Sequence, residues 1–157
     1  MTKTNVVRLI ENEKIAYTIK EYEVDENDLS GVHVAIQLGQ PVEQVFKTLV
    51  LKGEQKSYVV CCIPVAEELD LKKVAKAIGD KKVEMIPMKD LLMVTGYIRG
   101  GCSPIGMKKK LPTFIDETCE LFDTIAISAG IRGMQILIDP HDLINYTDAK
   151  VIDLCKQ

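Results

Sequence analysis

The chain has 157 residues, 46% hydrophobic and 27% charged, with a formal net charge of −3. This is the composition of an ordinary globular domain, read here as one domain over residues 1–157, and its acidic balance excludes a protein that coats nucleic acid, DNA included, by charge alone. The longest apolar run (58–66) is too short for a membrane span, no signal-peptide core precedes the first helix, and the five scattered cysteines fit reduced thiols in the cytoplasm.

Thr4 to Glu13 predicts an amphipathic helix capped by Thr4, with Val6, Val7, Leu9 and Ile10 as its apolar stripe. Ile15 to Val24 alternates and predicts a strand. Ile15, Tyr17 and Ile19 share one face, and Ala16, Thr18, Lys20 and Tyr22 the other. Residues 25–31 are polar and loop-like. Val32 to Leu38 predicts a short helix ending at Gly39, and Pro41 opens a helical turn through Gln44.

Val45 to Lys52 is the next predicted strand. Its alternation puts Val45, Lys47, Leu49 and Leu51 on one face, so a lysine interrupts an apolar row. Two readings stay open on pattern alone. Either the strand starts at Thr48 and Lys47 snorkels to water, or Lys47 lines a partly buried pocket. After a turn at Gly53 to Lys56, Ser57 to Val65 reads as a central strand. Asp70 caps a helix through Ile78 that Gly79 stops, and Lys82 to Ile86 is a short strand. Pro87 opens a further helix with Gly96 beyond its end.

The loop Arg99-Gly100-Gly101-Cys102-Ser103-Pro104-Ile105-Gly106 follows. Glycines permit positive φ and close backbone approach, and proline fixes its own φ. Such a loop can aim successive N–H groups at a phosphate, a carboxylate or an oxyanion, or can serve as a tight turn. It is neither a Walker A loop nor a nucleophile elbow, which makes Ser103 a hydrogen-bonding wall rather than a nucleophile. The basic run Lys108-Lys109-Lys110 comes directly after it. Leu111 to Asp116, Thr124 to Ser128 and Met134 to Ile138 predict three strands, the last two joined by a turn at Gly130 to Gly133. Pro140 and Asp142 open a helix through Tyr146, and Ala149 to Leu154 predicts an edge strand. Together these predict an α+β fold, a curled mixed sheet with a barrel-like core and helices packed outside. Neither His33 nor His141 has metal-ligand spacing, and no Cys-x-x-Cys occurs, so no metal or other cofactor is expected.

Phe46-Lys47-Thr48-Leu49-Val50, Gly100 to Gly106 followed by Lys108-Lys109, and Gly130-Ile131-Arg132-Gly133 before Asp142-Leu143 resemble, in order and spacing, the YbaK/EbsC family of bacterial aminoacyl-tRNA deacylases. These are freestanding relatives of the editing domain inserted in bacterial prolyl-tRNA synthetase. The resemblance implies removal of a wrong amino acid, best known as cysteine, from tRNA(Pro), and also action on Cys-tRNA(Cys). The implied partners are the aminoacyl-tRNA 3′ end and a prolyl-tRNA synthetase. Lys47 matches the family's essential lysine, Gly100 to Pro104 the loop that holds the ester and terminal adenosine, and Tyr22 a pocket tyrosine. Lys47 and Gly101 are thus the expected catalytic residues. Tyr22, Phe46, Thr48, Gly100, Cys102, Ser103, Pro104, Ser128, Gly130 and Gln135 are the expected substrate-binding ones. Gln135 departs from the Asp that many relatives carry there.

The expected chemistry is modest. Backbone N–H groups of Gly101 to Ser103 would stabilise a tetrahedral oxyanion, and Lys47 would hold the terminal phosphate or sugar. A side chain at Gly101 would obstruct the ester, with added strain were φ positive there. No Ser-His-Asp or Cys-His arrangement is evident. The resemblance supplies another nucleophile, the substrate's own cysteine thiol, and leaves Cys102 as a small packing residue. Two rivals remain at this level: hydrolysis of another aminoacyl group, such as Ala-tRNA(Pro), by water, and a non-catalytic aminoacyl-tRNA or synthetase-binding module.

Overall fold

The computed structural model describes residues 3–157. Helix α1 (Asn5–Asn12) starts where the Thr4 hydroxyl accepts the Val7 N–H, and it buries Val6, Val7 and Ile10. Strand β1 (Tyr17–Glu21) follows, then α2 (Gly31–Leu38), capped by Ser30 and closed by Gly39 at φ 69°. A 3-10 turn (Val42–Gln44) leads into β2 (Phe46–Gly53), which turns back into β3 (Tyr58–Pro64). Helix α3 (Leu71–Ile78) is capped by the Asp70 carboxylate, which accepts the Lys72 and Lys73 N–H groups. Strand β4 (Val83–Met85), a 3-10 turn (Met88–Asp90) and α4 (Leu91–Thr95) precede the glycine loop. Beyond it come β5 (Thr113–Asp116), β6 (Ile125–Ser128), β7 (Met134–Ile138), α5 (Pro140–Thr147) and β8 (Lys150–Ile152). A 3-10 segment at Glu117–Leu121, absent from the sequence expectation, is nucleated by Asp116, whose carboxylate accepts the Thr118 N–H.

The strands form two sheets. One is antiparallel, in the order β1-β7-β6; the other is mixed, in the order β4-β2-β3-β5-β8, with β3 at its centre. The main core lies between them. Ile125, Ile127, Ile136 and Ile138 from the first sheet meet Phe46, Val60, Cys62 and Ile115 from the second, with α1 and Leu143 of α5 closing the ends. The opposite face of the large sheet buries Leu51, Val59, Cys61, Ile63 and Phe114 under Val74 and Ala75 of α3.

The curled, mixed, helix-covered architecture is present, but the expected barrel does not close. One parallel bridge, Val45 to Ala126, joins the sheets. The edge of β2 that faces away from β3 is taken by β4 only from Leu51 to Gly53, with a further bond from the Ile86 N–H to the Val50 carbonyl. Between the Val45 bridge and the β4 pairing, the edge at residues 46–49 has no strand partner among the described residues. The two sheets part there, and the gap is the mouth of a cavity. No helix among the described residues is long and apolar enough to cross a membrane.

Candidate active site

The cavity has a volume of about 340 Å³. Its floor is the free stretch of β2, Phe46 to Leu49. One wall is the entrance to α2 (Leu29, Ser30, Gly31, Val34), and another is Met85, Ile86, Met88 and Leu91 around α4. Gly31 lets the first wall close, because a Cβ there would stand 2.3 Å from the Val65 side chain. Arg99, Gly100 and Cys102 enter from the glycine loop, and Ser128 and Gln135 from the small sheet. Of the expected site residues, the fold thus brings Lys47, Phe46, Thr48, Gly100, Cys102, Ser128 and Gln135 to one cavity.

Lys47 lies within β2, paired with Ile63 across the ladder, so the strand begins before it and not at Thr48. It is half-buried and makes no hydrogen bond or ion pair among the described residues. Its cationic head is therefore free for a ligand. Beside it, the Thr48 hydroxyl lies 3.8 Å from the Cys62 sulfur.

Gln135 is the other unusual group. It sits in the middle strand of the small sheet, flanked across the ladders by Lys20 and Ser128, so all three share the face turned away from the isoleucine core. Gln135 is only 6% exposed, and its Oε1 atom is buried without a hydrogen-bond partner among the described residues. Buried carbonyl oxygens are almost always paired, so an orphan facing a cavity marks a place where a donor belongs. The Ser128 hydroxyl accepts the Gly130 N–H at 3.1 Å, which fixes the turn and leaves the hydroxyl proton for another acceptor.

The glycine loop is braced from inside. The Gly101 N–H donates to the Ile98 carbonyl, the Ser103 hydroxyl accepts the Ile105 N–H, and the Tyr97 hydroxyl donates to the Ile105 carbonyl. Positive φ falls at Gly100 (87°) and Gly106 (79°), not at Gly101. Gly101 is buried, and a Cβ there would lie 3.2–3.3 Å from the backbone of Ile131 and Arg132. Its lack of a side chain therefore serves the seating of the loop on the β6–β7 turn, and its N–H is already spent on that loop. The Cys102 and Ser103 N–H groups have no partner among the described residues.

Five expected residues do not line the cavity. Gly101 and Ser103 are buried beneath it. Pro104 borders a separate cleft with Met107, Lys109 and Tyr146, and Gly130 borders a groove by Asn5 and Tyr97. Tyr22 is half-buried just past β1, held by its N–H to the Gly133 carbonyl. The α2 and α4 walls were missed in the sequence. In the sequence their apolar residues read like any core residues, and the exposure of Met85 and Met88 emerges only in the structure.

The lining contains two cations, Lys47 and Arg99, and no Asp, Glu or His. Its one thiol is unsuited to attack, because burial pushes Cys102 up to about 12, against a smaller opposing effect from a hydrogen bond with Thr95. No group of metal-binding side chains occurs among the described residues. What the cavity offers is two cations, the free Cys102 N–H and hydroxyls, which suit the binding of an anion or a developing oxyanion.

Comparisons with known proteins agree with this arrangement. A family model described as "Aminoacyl-tRNA editing domain" matches residues 30–146, which include every lining residue but Leu29. An Enterococcus faecalis protein named "Putative Cys-tRNA(Pro)/Cys-tRNA(Cys) deacylase EbsC" is 47% identical over 97% of this chain and 93% of its own. A proline–tRNA ligase of Thermosipho melanesiensis is 31% identical over 61% of this chain and 19% of its own. Among solved structures, one titled "Crystal structure of a putative trans-editing enzyme for prolyl tRNA synthetase" superposes with a TM-score of 0.82 over 99% of this chain and all of that one, at 22% identity, which establishes a shared fold. With the match covering most of the chain and the cavity with it, the chain belongs to the aminoacyl-tRNA editing domain family.

Proposed function

We propose that the chain is a freestanding cytoplasmic deacylase that removes cysteine from mischarged tRNA(Pro), and also acts on Cys-tRNA(Cys), working alongside a prolyl-tRNA synthetase. The observation that carries this reading is the chemistry of the lining: two cations and the open Cys102 N–H, but no carboxylate or imidazole among the described residues. Such a site binds, orients and stabilises charge, and leaves the nucleophile to the substrate.

In this reading Lys47 holds the terminal phosphate or ribose, and the Cys102 N–H faces the carbonyl oxygen as it becomes an oxyanion. The substrate thiol attacks its own ester carbon. A C–S bond forms, the C–O bond to the ribose breaks, and the thiol proton passes to the ribose oxygen. The products are tRNA with a free terminal hydroxyl and a cyclic thiolactone, which water opens to cysteine. Thiols need little activation near neutral pH, since a few per cent are already thiolate. Gln135 accepts a hydrogen bond from the aminoacyl group through its orphan oxygen. Tyr22, Gly101, Ser103, Pro104 and Gly130 act at one remove, by shaping the loop and the turn.

The test is release of amino acid from Cys-, Ser- and Ala-tRNA side by side. Cys-tRNA is expected to turn over more than about a hundredfold faster than Ser-tRNA, beyond what a pocket alone gives for near-isosteres. Rapid turnover of Ala-tRNA, which has no side-chain nucleophile, would instead establish water as the nucleophile and a different specificity. No turnover of any would leave a binding module.

A further inference from the structure

Three basic side chains gather at the glycine loop beside the cavity. Arg99 reaches the lining from the loop itself. Arg132, from the β6–β7 turn, donates its Nε–H to the Arg99 carbonyl at 2.7 Å and lies along Gly100, where a Cβ would stand 3.3 Å from its Cγ. Lys108 lies along Gly96, at the foot of the same loop. None of the three has a carboxylate within ion-pair distance among the described residues, whereas Lys110 is paired with Asp148. The segment leading to Leu29 and Ser30 holds Glu21, Glu23, Asp25, Glu26 and Asp28, five carboxylates within eight residues, and its start packs on the same β6–β7 turn, where the Tyr22 N–H donates to the Gly133 carbonyl. His33 alone is paired with two of them, Asp25 and Asp28.

A polyanion is attracted to the three unpaired cations, and the neighbouring carboxylates limit where it can lie. The Nε bond fixes the Arg132 guanidinium in place and leaves both terminal nitrogens for the fork contact that suits a phosphate. Resting on the deacylase reading above, we propose that Arg132, Arg99 and Lys108 form the track for the phosphates of the RNA strand that carries the ester. That strand enters over the corner made by residues 99–100 and 131–132. A chain of net charge −3 thereby holds an RNA end without a general affinity for nucleic acid.

The experiment compares Arg132→Gln, Arg132→Lys and Lys108→Gln with wild type on two substrates, Cys-tRNA and a 3′-cysteinyl adenosine that has no phosphate. On Cys-tRNA at low salt, Arg132→Gln is expected to lose about tenfold or more in kcat/KM, with the salt dependence shallower by about one in log–log slope. Arg132→Lys keeps the charge and is expected to stay within about threefold. On the phosphate-free ester all variants are expected to match wild type. Equal losses on both substrates, or failure of Arg132→Lys together with Arg132→Gln, would make the arginine a brace of the loop and overturn the proposal. Unchanged kcat/KM on Cys-tRNA would overturn it too, and point to a protein partner for this rim. Binding of uncharged tRNA separates this proposal from the deacylase reading. If wild type binds it and Arg132→Gln binds at least about fivefold more weakly, the track stands even where no ester is cleaved.

Discussion

Lys47 and Gln135 carry the site at the scale of single residues, and both stand where a core residue is the default. Lys47 interrupts the apolar row of β2, and the parting of the sheets gives its head somewhere to go. Lys47→Ala is expected to fold with an unchanged circular dichroism spectrum and to lose at least about a hundredfold in deacylation, the size of effect that positioning and charge stabilisation each supply. Lys47→Arg is expected to be poor as well, since a planar fork does not replace a compact ammonium. Turnover near wild type by the alanine variant would remove Lys47 from the mechanism. Gln135 presents the opposite balance. Its oxygen is costly while unpaired, by about 1–3 kcal/mol for an unsatisfied buried acceptor. Gln135→Met keeps length and removes the orphan, so Tm is expected to rise by about 3–6 °C. The same change is expected to lower kcat/KM about tenfold or more. A variant that is more stable and fully active would show that the oxygen meets no donor from the substrate.

Local elements were legible in the sequence because their signals are local. Thr4 and Asp70 accept N–H groups in the first turn of the helices they cap, and Gly39, Gly79 and Gly96 close helices in the left-handed region. The glycine loop was recognisable as a loop, but the use of each glycine was not. The requirement at Gly101 comes from residues thirty positions away, through the backbone of Ile131 and Arg132. A methyl at 3.2 Å from fixed backbone must push the loop off the turn. Gly101→Ala is therefore expected to cost about 1–3 kcal/mol of stability, as overpacking does, and to reduce turnover by shifting the Cys102 N–H. Activity lost with Tm unchanged would mean that Gly101 meets the ester directly. Asp80 holds the β2–β3 turn in the same non-local way. Its carboxylate accepts the N–H groups of Lys56, Gln55 and Lys81, and the Lys56 bond above all holds it below its ordinary value of 3.8. A depressed carboxyl stabilises the fold above its unfolded pKa, and that contribution fades as pH falls through the folded value. Asp80→Asn is expected to lower Tm at neutral pH, with the gap from wild type closing as pH falls through the depressed folded value. A gap that persists in acid would assign the effect to shape and not to charge.

On the scale of the whole molecule, strand count and the α+β class were readable from alternation, whereas the split into two sheets was not. Period-2 patterning assigns faces but says nothing about which edges pair, and the free edge at residues 46–49 depends on β4 and β6 stopping where they do. That split decides the chemistry, because it opens a cavity walled by apolar side chains, two cations and no base. If the nucleophile belongs to the substrate, the pH dependence of turnover must be the substrate's as well. The thiol of an ordinary cysteine ionises near pH ~8.5, so kcat/KM for Cys-tRNA is expected to climb about tenfold per pH unit below that value and level off above it. The protein's own thiol in the cavity lies far outside this range, with burial lifting Cys102 to about 12. Across the accessible pH range it stays protonated, and Cys102→Ala is expected to keep both the rate and the profile of wild type. Replacing the substrate thiol by hydroxyl in Ser-tRNA should abolish the rise, because a hydroxyl does not ionise there. A profile for Cys-tRNA that is flat, or that shifts when Cys102 is replaced, would place the attacking group on the protein or on water and end the substrate-assisted mechanism.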